Sequence, residues 1–139
     1  DYFKDRGIDM VMSPDIGAAG RAEAVGKRMG LPYDHLTKTR LSGVDVKIAP
    51  ATMDVKGKRI LIVDDMISTG GTIVAAAAAL REAGAVSVSV ACTHGVFVNN
   101  AIEKLTSSAL DKVLCCNTIE NEVSNISVAG IIAEELRRV

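Results

Sequence analysis

Short apolar runs alternate along this chain with segments of helical periodicity. That is the pattern of an α/β domain built on a mainly parallel sheet flanked by helices. Residues 8–12 (IDMVM) read as a strand that runs into Ser13-Pro14-Asp15. A helix of about a dozen residues should follow, ending near Gly30, where a glycine suits a helix C-terminus and Pro32 blocks continuation. Residues 33–36 and 44–48 read as two further short strands. Between them lies Thr37-Lys38-Thr39-Arg40-Leu41-Ser42-Gly43, polar throughout and expected to be a mobile loop.

Residues 60–63 (ILIV) form the clearest strand, branched and apolar on both faces as in the middle of a parallel sheet. After the polar run 64–72, a helix is predicted over residues 73–83 and closed by Gly84. Its consecutive alanines, Ala75 to Ala79, have high helix propensity and permit close approach to a sheet. Residues 86–91 (VSVSVA) alternate with period two, as a strand does. A helix near 99–106, a strand at 112–116 and an amphipathic helix over 128–138 complete the pattern, with Arg137 and Arg138 suited to the last helix's C-terminal dipole. No repeat, linker or low-complexity tract interrupts it, so a single domain is expected over residues 1–139.

Composition narrows the chemistry. Sixteen Lys and Arg against 17 Asp and Glu give a net charge of −1, so no broad basic face is available for nucleic acid. Tyr2, Phe3, Tyr33 and Phe97 are the only aromatic residues, too few for a base-stacking platform. No apolar run approaches the ~20 residues of a membrane span. The charged opening Asp1-Tyr2-Phe3-Lys4-Asp5-Arg6 resembles no targeting peptide. Cys92, Cys115 and Cys116 match no zinc spacing or disulfide framework, and read as buried small hydrophobes of a cytoplasmic protein. His35 and His94 fit no ligand motif and are expected to be structural.

The strongest chemical signal is ILIVDDMISTGGTI, residues 60–73. A buried strand delivers Asp64 and Asp65 to its C-terminal edge, where open α/β sheets bind ligands. Ser68, Thr69, Gly70, Gly71 and Thr72 then combine hydroxyls with glycines at the start of a helix, a cradle for an anion. No lysine follows the glycines, so this is no triphosphate loop of the GxxxxGK[ST] type. It suits a small terminal phosphate, while the carboxylates accept hydrogen bonds from sugar hydroxyls or hold Mg²⁺. The plainer alternative is that the aspartates cap a turn and the glycines make a tight bend.

This run resembles the ribose-5-phosphate loop shared by type I phosphoribosyltransferases and phosphoribosyl pyrophosphate (PRPP) synthetases. Two further segments favour the synthetases. Ser13-Pro14-Asp15-Ile16-Gly17-Ala18-Ala19-Gly20-Arg21 resembles their pyrophosphate loop, SPDxGGxxR, departing from it at Ala18, where the family usually has a second glycine. Lys38-Thr39-Arg40 is similar to their flexible catalytic loop. The three segments stand in the family's order, and the likeness extends over nearly the whole chain.

The resemblance implies a phosphoribosyltransferase-like fold and a ribose-phosphate diphosphokinase, which moves the β,γ-diphosphoryl group of ATP to ribose 5-phosphate and gives PRPP and AMP. It implies that Ser68, Thr69, Gly70, Gly71 and Thr72 hold the sugar phosphate and that Asp64 and Asp65 orient the ribose hydroxyls. Asp15, Ile16, Gly17 and Ala18 would bind the diphosphate of ATP, with Asp15 also a ligand of Mg²⁺, and Lys38 and Arg40 would be catalytic. Only the family's C-terminal half is matched. The N-terminal half, with its adenine contacts and a magnesium-binding His, would lie outside these residues, and the intact protein would be a homo-oligomer. The rivals are a type I phosphoribosyltransferase, although no segment supplies the usual hood over the base, and a non-catalytic regulatory or phosphosugar-binding domain.

Overall fold

The computed structural model describes residues 2–43 and 45–139. The elements run β1 (Met10–Ser13), a 3-10 turn (Ile16–Ala18), α1 (Ala19–Met29), β2 (Tyr33–Arg40), β3 (Val46–Pro50), β4 (Arg59–Ile67), α2 (Gly71–Glu82), β5 (Ser87–Gly95), α3 (Ala101–Thr106), β6 (Lys112–Cys116), β7 (Ser124–Ile126) and α4 (Ala129–Arg138). They build a seven-stranded sheet of order β3-β2-β1-β4-β5-β6-β7. Every pairing is parallel except β2 with β3.

Strand alternation divides the core into two layers. Ile60 and Ile62 of β4 pack on one face with Met10 and Met12 of β1 and with Ile73, Ala76, Ala77 and Leu80 of α2. Leu61 and Val63 pack on the other with Val11 and with Ala22 of α1. The small side chains of α1 and α2 let both helices lie close to the sheet. At Gly26 of α1 a Cβ would stand 2.8 Å from Tyr33 Cδ1, so that contact admits only glycine. Gly30 ends α1 in the left-handed region, at φ 67°.

Several expectations are corrected. The segment 37–43 is not a loop from Thr37 onward: β2 continues to Arg40 and pairs with β3 from Leu36↔Pro50 to Arg40↔Val46. Antiparallel pairing gives these polar residues backbone partners, and only a short turn remains, closed by Leu41 N–H to Asp45 O at 2.9 Å. Val44, the first residue of the strand expected at 44–48, lies outside the described residues. The strand expected at 60–63 extends through the aspartates to Ile67, because β5 remains alongside as far as Ile67↔Gly95. β7 was not anticipated, being three residues of SNI with no apolar pattern. α3 begins at Ala101, since Asn99 and Asn100 have positive φ. The last helix is amphipathic, yet none of its residues is buried. Cys92 and Cys115 are buried as expected and Cys116 is half-buried; burial pushes the Cys92 thiol up to about 12.

Candidate functional site

The sheet order places a reversal between two adjacent strands. From β1 the chain crosses through α1 to β2 on one side, and from β4 it crosses through α2 to β5 on the other, with the two helices on opposite faces. Such a switch point opens a crevice beyond the strands' C-terminal ends, where open α/β sheets take ligands. β1 pairs with β4 only from Met10↔Ile60 to Met12↔Ile62. Beyond that register no residue of β1 pairs with β4, so Asp64 and the residues after it have no partner on β1. Val63 packs on the α1 side while Ile67, four residues later, packs on the α2 side. Strict alternation would keep both on one face, so the strand turns over between them, where the two aspartates lie.

At the end of β1, Ser13 is fully buried and its hydroxyl donates to the Asp15 carbonyl at 2.8 Å, tightening the turn. Asp15 Oδ1 accepts the Ala18 N–H at 3.1 Å. Capping thus occupies one oxygen of Asp15, and the exposed carboxylate keeps a second. Ile16 and Gly17 are exposed beside it. Ala18 sits at φ −95°, ψ 3°, a conformation open to any residue, so alanine in place of the family's glycine brings no backbone strain.

After β4, Ser68, Thr69, Gly71 and Thr72 are exposed around a buried Gly70. Gly70 is the N-cap of α2 at φ 77°, with no side-chain capping bond. Helix geometry leaves the first N–H groups of α2 without intrahelical acceptors, so the loop presents backbone donors, two threonine hydroxyls and a serine hydroxyl together. Its outer side is tied down by Val98 N–H to the Ser68 carbonyl at 3.1 Å and by Lys104 Nζ to the Thr69 carbonyl at 3.3 Å.

Between the loops stand Asp64 and Asp65. Asp64 Oδ1 accepts the Asp65 N–H at 2.8 Å and Asp65 Oδ1 accepts the Met66 N–H at 2.8 Å. Arg21, in the first turn of α1, reaches both carboxylates: Nη1 lies 3.6 Å from Asp64 Oδ1 and Nη2 3.3 Å from Asp65 Oδ2. The two acids are driven apart. Burial raises the Asp64 carboxyl above its ordinary value, and the neighbouring Asp65 adds to this against the pull of the Asp65 N–H and Arg21. The Met66 N–H holds Asp65 below its ordinary value, with Asp64 and Arg21 assisting.

The structure therefore brings Asp15, Ile16, Gly17 and Ala18, the acid pair, and Ser68 to Thr72 to one edge of the sheet. Lys38 and Arg40 are not joined to them. They lie exposed on β2 where it projects past the end of β1, and among the described residues neither makes an ion pair. Arg21 stood in the segment SPDIGAAGR without an assigned role; its position one turn into a helix that starts at the crevice was the available signal. Asp34 was also missed. Its carboxylate takes the N–H groups of Thr52 and Met53 at 2.8 and 2.9 Å, anchoring the chain where it leaves β3. Burial opposes ionisation there, but those N–H groups and that of His35 prevail and lower its pKa. His94, at the end of β5, holds Thr118 Oγ1 through Nδ1 at 2.8 Å; Thr118 in turn donates to the Thr93 carbonyl. That bond fits the structural part expected of it.

Comparison with known proteins shows the family and the fold. The family model described as "phosphoribosyl transferase domain" matches residues 1–129. The ribose-phosphate pyrophosphokinase of Pyrococcus furiosus is 49% identical over 129 residues, which are 92% of this chain and 46% of that protein. The enzyme of the same name from Pyrococcus abyssi is 47% identical over 135 residues, 96% of this chain and 47% of its own. The chain thus spans about half the length of the curated relatives it matches. The crystal structure of phosphoribosylpyrophosphate synthetase from Mycobacterium smegmatis superimposes with a TM-score of 0.79 at 34% identity, covering 95% of this chain and 45% of that one. Crevice, sheet order and sequence lead to one conclusion: the chain belongs to the phosphoribosyl transferase domain family and is similar, over nearly all its length, to ribose-phosphate pyrophosphokinases.

Proposed function

We propose that these 139 residues are the sugar-phosphate half of a cytoplasmic, homo-oligomeric ribose-phosphate diphosphokinase, which makes PRPP and AMP from ATP and ribose 5-phosphate. The observation that carries this is the pair of strand-to-helix loops opening on one crevice with two carboxylates between them. A phosphate on the N–H groups of α2 leaves the ribose hydroxyls of the same molecule facing Asp64 and Asp65. The loop from Asp15 to Ala18 faces the sugar's anomeric end and suits a diphosphate. The anomeric oxygen attacks the β-phosphorus as the α–β bridging bond breaks, so the protein's task is to position the reactants and offset charge.

Among the described residues no cluster of three or more ligating side chains exists to cage a metal. Mg²⁺ does not need one, since it is commonly held by one or two carboxylates with substrate phosphates and water. The second oxygen of Asp15 fits that mode, and the ion would supply charge neutralisation on the diphosphate. Lys38 and Arg40 would close from the β2–β3 hairpin over the transferred group, Lys as a compact charge and Arg as a bidentate donor.

³¹P NMR with ATP, ribose 5-phosphate and Mg²⁺ tests the proposal. AMP and PRPP appearing together are the expected result for the whole protein. For this chain by itself the expected minimum is a shift of the ribose 5-phosphate resonance. A resonance that does not move removes the sugar-phosphate site.

A further inference from the structure

Neighbouring residues of a strand ordinarily point to opposite faces, yet a single guanidinium spans both Asp64 and Asp65, with one nitrogen toward each. Two converging carboxylates repel unless a cation lies between them, and the planar fork of arginine is suited to holding two oxygens at a set spacing. α1 can deliver that fork because the small Ala22, fully buried, packs in one layer with Leu61 and Val63 of β4.

From this geometry we infer that Arg21 is a positioning residue for recognition of the sugar's diol. It acts through Asp64 and Asp65, holding the pair side by side so that two adjacent hydroxyls find two acceptors. The inference rests on the sugar-phosphate reading above and adds to it the residue that sets discrimination between ribose and 2-deoxyribose. The phosphate cradle at Ser68 to Thr72 is a separate loop on separate backbone donors, so its affinity for phosphate does not depend on Arg21.

The test is a set of titrations of the wild-type chain, Arg21→Ala and Arg21→Lys with ribose 5-phosphate, 2-deoxyribose 5-phosphate and inorganic phosphate. A hydrogen bond to a charged group corresponds to roughly tenfold or more in affinity. Wild type is therefore expected to prefer ribose 5-phosphate over its 2-deoxy analogue by at least about tenfold. Arg21→Ala should reduce that preference to within about twofold. Arg21→Lys, with a point charge that serves one carboxylate well and not both, should keep part of it. Affinity for inorganic phosphate should change by less than about threefold in either variant, a result that a general disturbance of the crevice would not give.

A preference that survives in Arg21→Ala overturns the inference and leaves the sugar-phosphate site standing. Loss of inorganic phosphate binding in parallel with ribose 5-phosphate also overturns it, since Arg21 would then serve the phosphate itself. Failure of the wild-type chain to bind either sugar phosphate overturns the site and the inference together.

Discussion

Leu105 closes in beneath Gly70: a Cβ on that glycine would stand 3.0 Å from Leu105 Cγ. The same glycine is at φ 77°, where an L-residue is strained. Backbone conformation and packing therefore make the same demand at the point where α2 begins. Gly70→Ala is expected to lower stability by roughly 1–3 kcal/mol and to weaken inorganic phosphate binding, because the donors beside it must shift. Denaturant unfolding and a phosphate titration read the two effects. Gly71→Ala is the contrast: nothing but Thr69 Oγ1, at 4.0 Å, approaches its Cβ position, and its stability should change little. Equal losses from the two substitutions would refute the account of Gly70.

The proposed role of Asp64 in the sugar site predicts a pH dependence. Burial and the adjacent Asp65 raise its carboxyl above the ordinary value of 3.8. Hydroxyls donate to the ionised form, so sugar recognition is complete at high pH and is lost as pH falls through that raised value, before ordinary carboxylates of about 4 have titrated. The ligand's own phosphate titrates near pH 6, so the quantity to follow is the ratio of ribose 5-phosphate to 2-deoxyribose 5-phosphate affinity. The ratio should fall on acidification in the wild-type chain, and in Asp64→Asn it should be low and flat. A wild-type ratio constant down to about pH 4 would remove Asp64 from diol recognition.

What could be read from the sequence followed burial. Residues 60–63 and 86–91 carry their apolar pattern because they sit in the middle of the sheet, and Ile60, Leu61, Ile62, Val88 and Val90 are all fully buried there. The loops at Asp15 and at Ser68 to Thr72 were legible because glycines and hydroxyls at strand-to-helix turns have a chemistry of their own. The hairpin was not, since Lys38, Thr39 and Arg40 are exposed and only a cross-strand partner distinguishes them from a loop. The contact of Arg21 with Asp64 joins residues far apart in the chain. No local pattern encodes it; it follows from the helix packing that the small residues of α1 permit.

Away from the crevice, Asp9 holds Arg59 with both oxygens: Oδ2 accepts from Nε at 3.0 Å and Oδ1 from Nη2 at 2.9 Å, while Oδ2 also takes the Arg59 N–H at 2.8 Å. The Arg59 side chain and backbone hold this carboxyl at about 2, against an ordinary 3.8. A depressed folded-state value means that the contribution is present above the unfolded value and is lost as pH falls from about 4 through about 2. Half of the Arg59 side chain is exposed, so solvent screening keeps the contribution of the ion pair small. Asp9→Asn should be slightly less stable than wild type at neutral pH, with the gap closing toward pH 2 in denaturant unfolding. A gap independent of pH would show that ionisation of Asp9 does not contribute to it.

Lys38 and Arg40 present the sharpest test of the proposed activity because the structure leaves them outside the crevice. They alternate with Thr37 and Thr39 on β2, so they share a face, opposite Ile48 and Val46 of β3. β2 passes the end of β1 at Ser13↔His35, and beyond Leu36 only β3 pairs with it, with Ile48 of β3 packed against the core beside α2 while Lys38 and Arg40 stay exposed. Two exposed cations on a projecting ribbon add little to binding a sugar phosphate held elsewhere, and much to a transition state over which the ribbon bends. In the whole protein, Lys38→Ala and Arg40→Ala should each lower diphosphoryl transfer by roughly two orders of magnitude or more, with ribose 5-phosphate affinity within a few-fold of wild type. Steady-state turnover alongside a sugar-phosphate titration separates these effects. If affinity collapsed while turnover of bound substrate survived, the two residues would belong to the ground-state site and the hairpin would have no catalytic part.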